Sequence, residues 1–280
     1  MKGFLTLTGF LLTLTSFSQQ STFDTDADGW TALDSNTGST PAYQSTGGNP
    51  GGFIQVFDGV LGTATFYVAP TKFLGNKSIY YGGTLQFDLQ VSVTPNSSTA
   101  GVRLTGGGLT LVKLLTPEFT LPAIAPGWSS YSFRLDETVA WRVTSTTGPL
   151  ATAAQIQTVL GSLTELAING EYSTVDADGG GLDNVSLTGA QVTVYNAVSP
   201  NNDLKNEYLR IDNIGLGENT VRIYNRWGDL VFETTNYNND DRAFRGKDNN
   251  GNELPTGAYF YRIEFKSDSK PVTGFLNLKR

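Results

Sequence analysis

The stretch Leu85-Gln86-Phe87-Asp88-Leu89-Gln90-Val91-Ser92-Val93 alternates apolar and polar residues without a break. Successive side chains of a β-strand point to opposite faces, so this pattern puts one face on a core and the other toward solvent. That is the signature of a half-buried strand in an antiparallel sheet. Tyr131-Ser132-Phe133-Arg134-Leu135 repeats it. Residues 102–104 and 109–115 read as two strands around the turn Gly106-Gly107-Gly108, and 184–187 and 191–194 as late strands. One segment departs from the period of two. Thr152-Ala153-Ala154-Gln155 has the form of a capping box, and Ile156, Val159, Leu160 and Leu163 follow at helical spacing. Many strands and one short helix point to an all-β, jelly-roll-like β-sandwich.

A turn cluster, Ser199-Pro200-Asn201-Asn202-Asp203, marks a change of texture. Beyond it, 221–224 and 229–232 read as short strands joined at Asn225-Arg226-Trp227-Gly228, and 257–263 and 274–278 follow as strands. The expected division is a signal peptide at 1–18, a jelly-roll module at 19–196 and a small immunoglobulin-like β-sandwich at 197–280. The signal peptide rests on Met1-Lys2, a short apolar run over 4–14, and small residues Ser16 and Ser18 before Gln19.

The chain has no cysteine and no histidine. A disulfide-stapled scaffold is therefore excluded, as are a Ser-His-Asp triad and zinc sites built on imidazole. Residues 19–196 carry 14 acidic against 6 basic side chains, and residues 197–280 carry 12 of each. An acidic first module argues against nucleic acid and anionic membrane surfaces as partners, and suits cations and neutral sugars.

Phe23…Gly29-Trp30-Thr31, Ala69-Pro70-Thr71-Lys72-Phe73-Leu74-Gly75, Tyr81-Gly82-Gly83-Thr84-Leu85-Gln86-Phe87 and Leu182-Asp183-Asn184-Val185-Ser186-Leu187 together resemble the laminin IV (laminin B) domain. The resemblance implies a jelly-roll sandwich akin to carbohydrate-binding modules, an extracellular setting and no catalysis. Ser199-Pro200-Asn201, Asn225-Arg226-Trp227-Gly228, Leu254-Pro255-Thr256-Gly257-Ala258-Tyr259 and the last residues Lys279-Arg280 resemble the type B, gliding-motility-associated, C-terminal sorting domain of type IX secretion cargo. Asn201-Asn202-Asp203-Leu204-Lys205 stands where that family usually has a glycine-containing turn. This second resemblance implies recognition by the type IX secretion machinery, with Asn225, Arg226, Trp227, Gly228, Gly257, Tyr259, Lys279 and Arg280 as sorting-motif residues. It also implies a final location on the outer surface of a Gram-negative cell, or in the medium, with membrane attachment by anchoring only.

Asp24-Thr25-Asp26-Ala27-Asp28-Gly29 has carboxylates at alternate positions, as a calcium loop does. Position twelve is Ser35 rather than glutamate, so it is not an EF-hand. In carbohydrate-binding jelly rolls a structural calcium often ties the first strand to the last, and that likeness implies Asp24 and Asp183 as ligands, with Asp26 and Asp28, and Asp176 and Asp178 close by. The other reading is a polar loop of solvated aspartates. Trp128 and Tyr43 are the aromatic candidates for stacking on a sugar ring. The expected function is a secreted or cell-surface, non-catalytic binding or adhesion module for glycan or extracellular matrix. The alternatives are a carboxylate-based polysaccharide-degrading enzyme and a purely structural surface protein.

Overall fold

The computed structural model describes residues 18–34, 37–57, 65–96, 100–116, 118, 120–174, 179–266 and 271–280. The expected signal peptide lies outside the described residues, apart from Ser18. Two compact units are formed, one over 18–189 and one over 190–280.

The strands of the first unit are β1 (Ser18–Ser21), β2 (Thr31–Asp34), β3 (Thr37–Ser39), β4 (Ala42–Gly48), β5 (Gly51–Phe57), β6 (Phe66–Val68), β7 (Thr84–Val91), β8 (Ala100–Gly106), β9 (Leu109–Leu114), β10 (Ala123–Ile124), β11 (Ser129–Arg134), β12 (Arg142–Val143), β13 (Leu163–Asn169) and β14 (Gly179–Thr188). The first sheet runs β10-β7-β14-β5-β4, with β11 also on β7 and β1 also on β14. The second runs β12-β9-β8-β13-β6-β2-β3. Among the described residues the strand pairs in both are antiparallel except β10 with β7.

The two sheets enclose one core. Leu85, Phe87, Leu89 and Val91 of β7, with Leu182, Val185 and Leu187 of β14, are buried on the inner side. Tyr67, on β6 of the second sheet, crosses the core: its hydroxyl accepts from Val56 N at 3.1 Å and lies against the Gly180 and Ile54 carbonyls of the first sheet. Burial pushes this phenol far above its ordinary pKa, so it remains a neutral pin between the layers. Trp30 is sealed between Phe23 and Phe73, and its indole N–H donates to Ser21 Oγ at 2.9 Å.

The helix α1 (Ala153–Gly161) forms with both arms of the expected capping box. Thr152 N donates to Gln155 Oε1 at 2.9 Å, and Gln155 N to Thr152 Oγ1 at 3.3 Å. Ile156, Val159 and Leu160 face the core, whereas Leu163 opens β13 instead of continuing the helix. The glycine turn between β8 and β9 has Gly107 and Gly108 at φ +56° and +76°, the left-handed backbone that a two-residue hairpin turn requires.

The second unit holds β15 (Thr193–Val194), β16 (Ala197–Val198), β17 (Ile211–Asp212), β18 (Asn219–Tyr224), β19 (Leu230–Thr235), β20 (Gly257–Phe265) and β21 (Val272–Leu278). Five of these make the sheet β16-β21-β20-β18-β19, and β15 pairs with β17 in a separate ribbon. Because β15 pairs with β17, residues 190–196 belong to this unit. The units part at 189/190, ahead of the boundary expected at 196/197.

Candidate functional site

The polar side chains of β7 do not simply face water. Gln86 is exposed, but Asp88 and Gln90 on the same outer face are buried. The turn Gly48-Asn49-Pro50-Gly51 of the β4–β5 hairpin reaches Asp88 through the Asn49 side chain, and Phe53 of β5 meets the same Gly181 position as Gln90. Small residues are compulsory there. A Cβ on Gly48 would lie 2.7 Å from Asp183 Oδ2, one on Gly51 would lie 2.6 Å from Asp24 Oδ1, and one on Gly52 would lie 2.2 Å from the Phe23 carbonyl oxygen.

Beneath this turn Asp183 stands directly opposite Asp88 across β14 and β7. The register slips just after Asp183, and Asn184 takes φ +51°. Such a bulge re-aims side chains locally. Asp183 has no exposed surface. It accepts from Asn49 N at 2.6 Å and from Asn184 N at 2.7 Å. Asp88 Oδ2 accepts from the side-chain amides of Asn49 at 3.1 Å and Asn184 at 2.8 Å. Burial pushes the Asp183 carboxyl up to about 6, against the pull of those two backbone donors, and the charges of Asp88 and Asp24 push the same way.

The expected calcium loop does not converge. Asp28 is committed to Lys72 and to Ser21 Oγ, 2.7 Å away. Asp26 Oδ1 accepts from Asp28 N at 2.7 Å, closing its own turn. Asp24 turns the other way, toward Gly51, and takes a hydrogen bond from Thr22 Oγ1 at 2.7 Å. Of the expected set only Asp24 and Asp183 flank the same turn, joined by Asp88. Asp176 and Asp178 lie outside the described residues. Among the described residues no three acidic side chains stand in ligating geometry, so Asp26 and Asp28 do not fit a metal shared with Asp183.

Both aromatic candidates are half-buried, Trp128 against the β4–β5 hairpin and Tyr43 within it on β4. Trp128 donates its indole N–H to the Gly47 carbonyl at 3.1 Å and meets Phe53 edge-on, with ring centroids 5.4 Å apart. Tyr43 donates to the Asp24 carbonyl at 3.0 Å. Phe53 and Phe57 lie over the glycine run of β14: a Cβ on Gly181 would touch Phe53, and one on Gly179 would touch Phe57. This pair was missed in the sequence, where Gly179-Gly180-Gly181 was the available signal. Beside the aromatic part runs a groove of about 450 Å³, lined by Gln20, Thr22, Gln86, Asp88, Ser130, Ser132, Asn184 and Ser186. These amides, hydroxyls and a carboxylate are groups that hydrogen bond to sugar hydroxyls, and Phe87, Tyr131 and Val185 line the groove as well.

In the second unit, Asn225 organises the β18–β19 turn, accepting from Trp227 N at 2.9 Å and Asp229 N at 3.0 Å. Gly228 follows at φ +89°. The Arg226 guanidinium lies 4.7 Å over the Trp227 ring. Gly257 opens β20, and buried Tyr259 donates to the Pro255 carbonyl at 2.8 Å. Burial raises the Tyr259 phenol, and the charges of Arg226 and Arg280 oppose the rise, so both arginines are near it. Lys279 N bonds to the Val198 carbonyl at 2.9 Å. Arg280 Nε donates to Leu254 O at 2.9 Å, and its other arm reaches Gly246 O and Glu253. The motif residues are therefore folded parts of the unit.

Residues 66–202 match the family model of Laminin B (Domain IV), and residues 192–278 that of the CHU_C type IX secretion signal domain. Human laminin subunit gamma-2 is 35% identical over 181 residues, covering 61% of this chain and 14% of that protein. Human laminin subunit gamma-1 is 31% identical over 185 residues, covering 62% and 10%. The chain thus spans a small fraction of these relatives' length. The solved L4b domain of human laminin alpha-2 is 14% identical with a TM-score of 0.48, covering 62% of this chain and 97% of that domain. No helix among the described residues is long and apolar enough to cross a membrane. The chain joins a laminin B (domain IV) domain to a type IX secretion signal domain, which marks it for export to the cell surface or the medium.

Proposed function

We propose that the chain is an exported, non-catalytic module that binds a neutral glycan of a polysaccharide or extracellular matrix on the outer face of its first sheet, at the outer surface of a Gram-negative cell. One observation carries the reading. Trp128 packs on the β4–β5 hairpin and Tyr43 belongs to it, and the Asn49 of its turn meets the Asp88 and Asn184 side chains that line a groove rich in amides and hydroxyls. An aromatic plane takes the apolar face of a sugar ring while the groove takes its hydroxyls. The surplus of acidic over basic side chains in this module favours a neutral ligand over a sulfated or uronic one.

The enzyme alternative has a carboxylate pair to offer, Asp88 with Asp183, one of them with a raised pKa. Both Asp183 oxygens are engaged by backbone N–H groups, and the residue is wholly covered. A general acid has to reach the glycosidic oxygen, and this one is shut beneath the turn. That supports binding over hydrolysis. Calcium remains part of the proposal in a narrower form, at Asp24 and Asp183, the two expected ligands that flank the turn; its chemistry would be structural. Binding of the purified full chain to neutral and acidic polysaccharides tests the reading. Retention by a neutral polysaccharide, without release of reducing ends, is expected; release abolished by an Asp88 substitution would replace it with the enzyme reading.

A further inference from the structure

The second unit has a surface that the glycan reading does not use and that meets the sorting-motif residues at Trp227. Strand register sets Leu230 beside Tyr224, Tyr224 beside Phe260, and Phe260 beside Phe275, so these four form one rung across β19, β18, β20 and β21. The inner face of the same sheet is filled by Val221, Ile223, Tyr259, Tyr261, Ile263 and Leu276. The rung is on the opposite face. Leu230 and Phe260 are each 49% exposed and Phe275 38%, and Trp227, at the end of the rung in the β18–β19 turn, is 73% exposed. Single exposed apolar side chains are ordinary; a contiguous row of this kind marks an interaction surface.

The neighbouring rung restricts the partner. Arg222 pairs with Glu233 at 2.8 Å and also with Glu264, and Arg262 pairs with Glu264 at 2.7 Å. Arg226 is spread over the Trp227 ring. Arg222 and Arg262 are thus balanced within the face by Glu233 and Glu264, while Arg226 adds one positive charge at the Trp227 end of the row. Addition of a partner strand at the β19 edge is hindered. The Asn249 side chain occupies it, donating to Glu233 O at 2.9 Å and accepting from Glu233 N at 2.7 Å. What remains is an apolar strip bordered by paired charges and, at one end, by Arg226, complementary to an apolar strip on another protein.

We propose that the Leu230–Tyr224–Phe260–Phe275 rung with Trp227 is the face by which a protein of the type IX secretion apparatus holds this domain. The proposal rests on the export reading and adds the surface that carries it. In a bacterium with a working type IX apparatus, the full chain is compared with a Phe260→Ser/Phe275→Ser variant and a Leu150→Ser control, which alters an exposed leucine of the first unit. Surface-plus-medium protein is expected to fall about tenfold or more in the double variant and to be unchanged in the control, with unfolding midpoints of the purified chains within a few degrees. Wild-type and double variant exported equally would overturn the proposal and leave the export reading standing. A wild-type chain that stays inside the cell would overturn both. Against a folding defect, a benzophenone photo-crosslinker replaces Phe275 alone. An adduct with an identified apparatus component is the expected product, and adducts formed only with a second copy, a glycan or lipid would contradict it.

Discussion

On the first module Asp88 and Asp183 stand opposite each other across two strands, and among the described residues no lysine or arginine forms an ion pair with either. On the second unit Arg222 and Arg262 divide themselves between Glu233 and Glu264. Like charges directly opposite in a sheet are destabilising, and opposite charges mildly stabilising. One face therefore holds two hydrogen-bonded carboxylates with no paired cation beneath a turn, whereas the other pairs Arg222 and Arg262 with glutamates and exposes aromatic carbon. A surface of polar groups and negative charge suits polar ligands and ions, and an apolar strip suits another protein. Two sheets of similar architecture are thereby equipped for different partners.

The sharpest way to separate the regions is steric. Gly52→Ala would push a Cβ into the Phe23 carbonyl, and a backbone cannot step aside cheaply. A loss of about 3 kcal/mol or more is expected in the first module. Calorimetry should show one transition lowered and the transition of the second unit unmoved. A common shift of both would mean that the two do not unfold separately.

Acid should move the regions in opposite directions. The Asp183 carboxyl is raised from 3.8 to about 6 in the folded chain. Between those values the folded state holds a proton that the unfolded state has lost, so stability is fully present below the lower value and declines as pH rises to the upper. The decline in the first module is up to about 3 kcal/mol, measured in chelator. Asp88→Asn removes the opposing charge and should flatten that slope. In the second unit Glu264 is held low by Arg262 and Arg222, and Asp248 by Asn252. Their contribution is present at neutral pH and lost as pH falls below the ordinary carboxylate range. Equal and parallel pH profiles for both transitions would contradict the charge comparison.

Calcium sharpens the same contrast. At a hundredfold excess over its dissociation constant it should raise the first transition by about 2.7 kcal/mol and leave the second in place; no shift would remove the cation from the proposal. The smallest effect belongs to the second unit. Leu204 has φ +67° and is 92% exposed, a left-handed backbone that a branched side chain resists. Leu204→Gly should gain about 0.5–1 kcal/mol in chemical denaturation.

Much of this was legible as pattern. The alternation through 85–91 and 131–134, the capping box at Thr152 and the turn at Asn225 depend on neighbours in sequence, and each formed. Leu204 falls where the sorting-domain resemblance implies a glycine-containing turn, and the backbone has the torsion that glycine would have eased. What sequence could not show is which polar residues a distant hairpin would cover. Asp88 and Gln90 read as a solvent face, and the β4–β5 hairpin, from some forty residues away, meets them through Asn49 and Phe53. Asp24, Asp26 and Asp28 share a spacing but not a direction, because Lys72 claims one of them.

The central claim is that the outer face of the first sheet binds a neutral glycan through Trp128. The most direct measurement is affinity electrophoresis of the full chain and of Trp128→Ala through gels carrying neutral and acidic polysaccharides, with unfolding curves to verify that both fold. Retardation of the wild type by at least one neutral polysaccharide, weakened about tenfold or more in the variant, is the predicted result. Equal retardation of both proteins, or none in any gel, would contradict it.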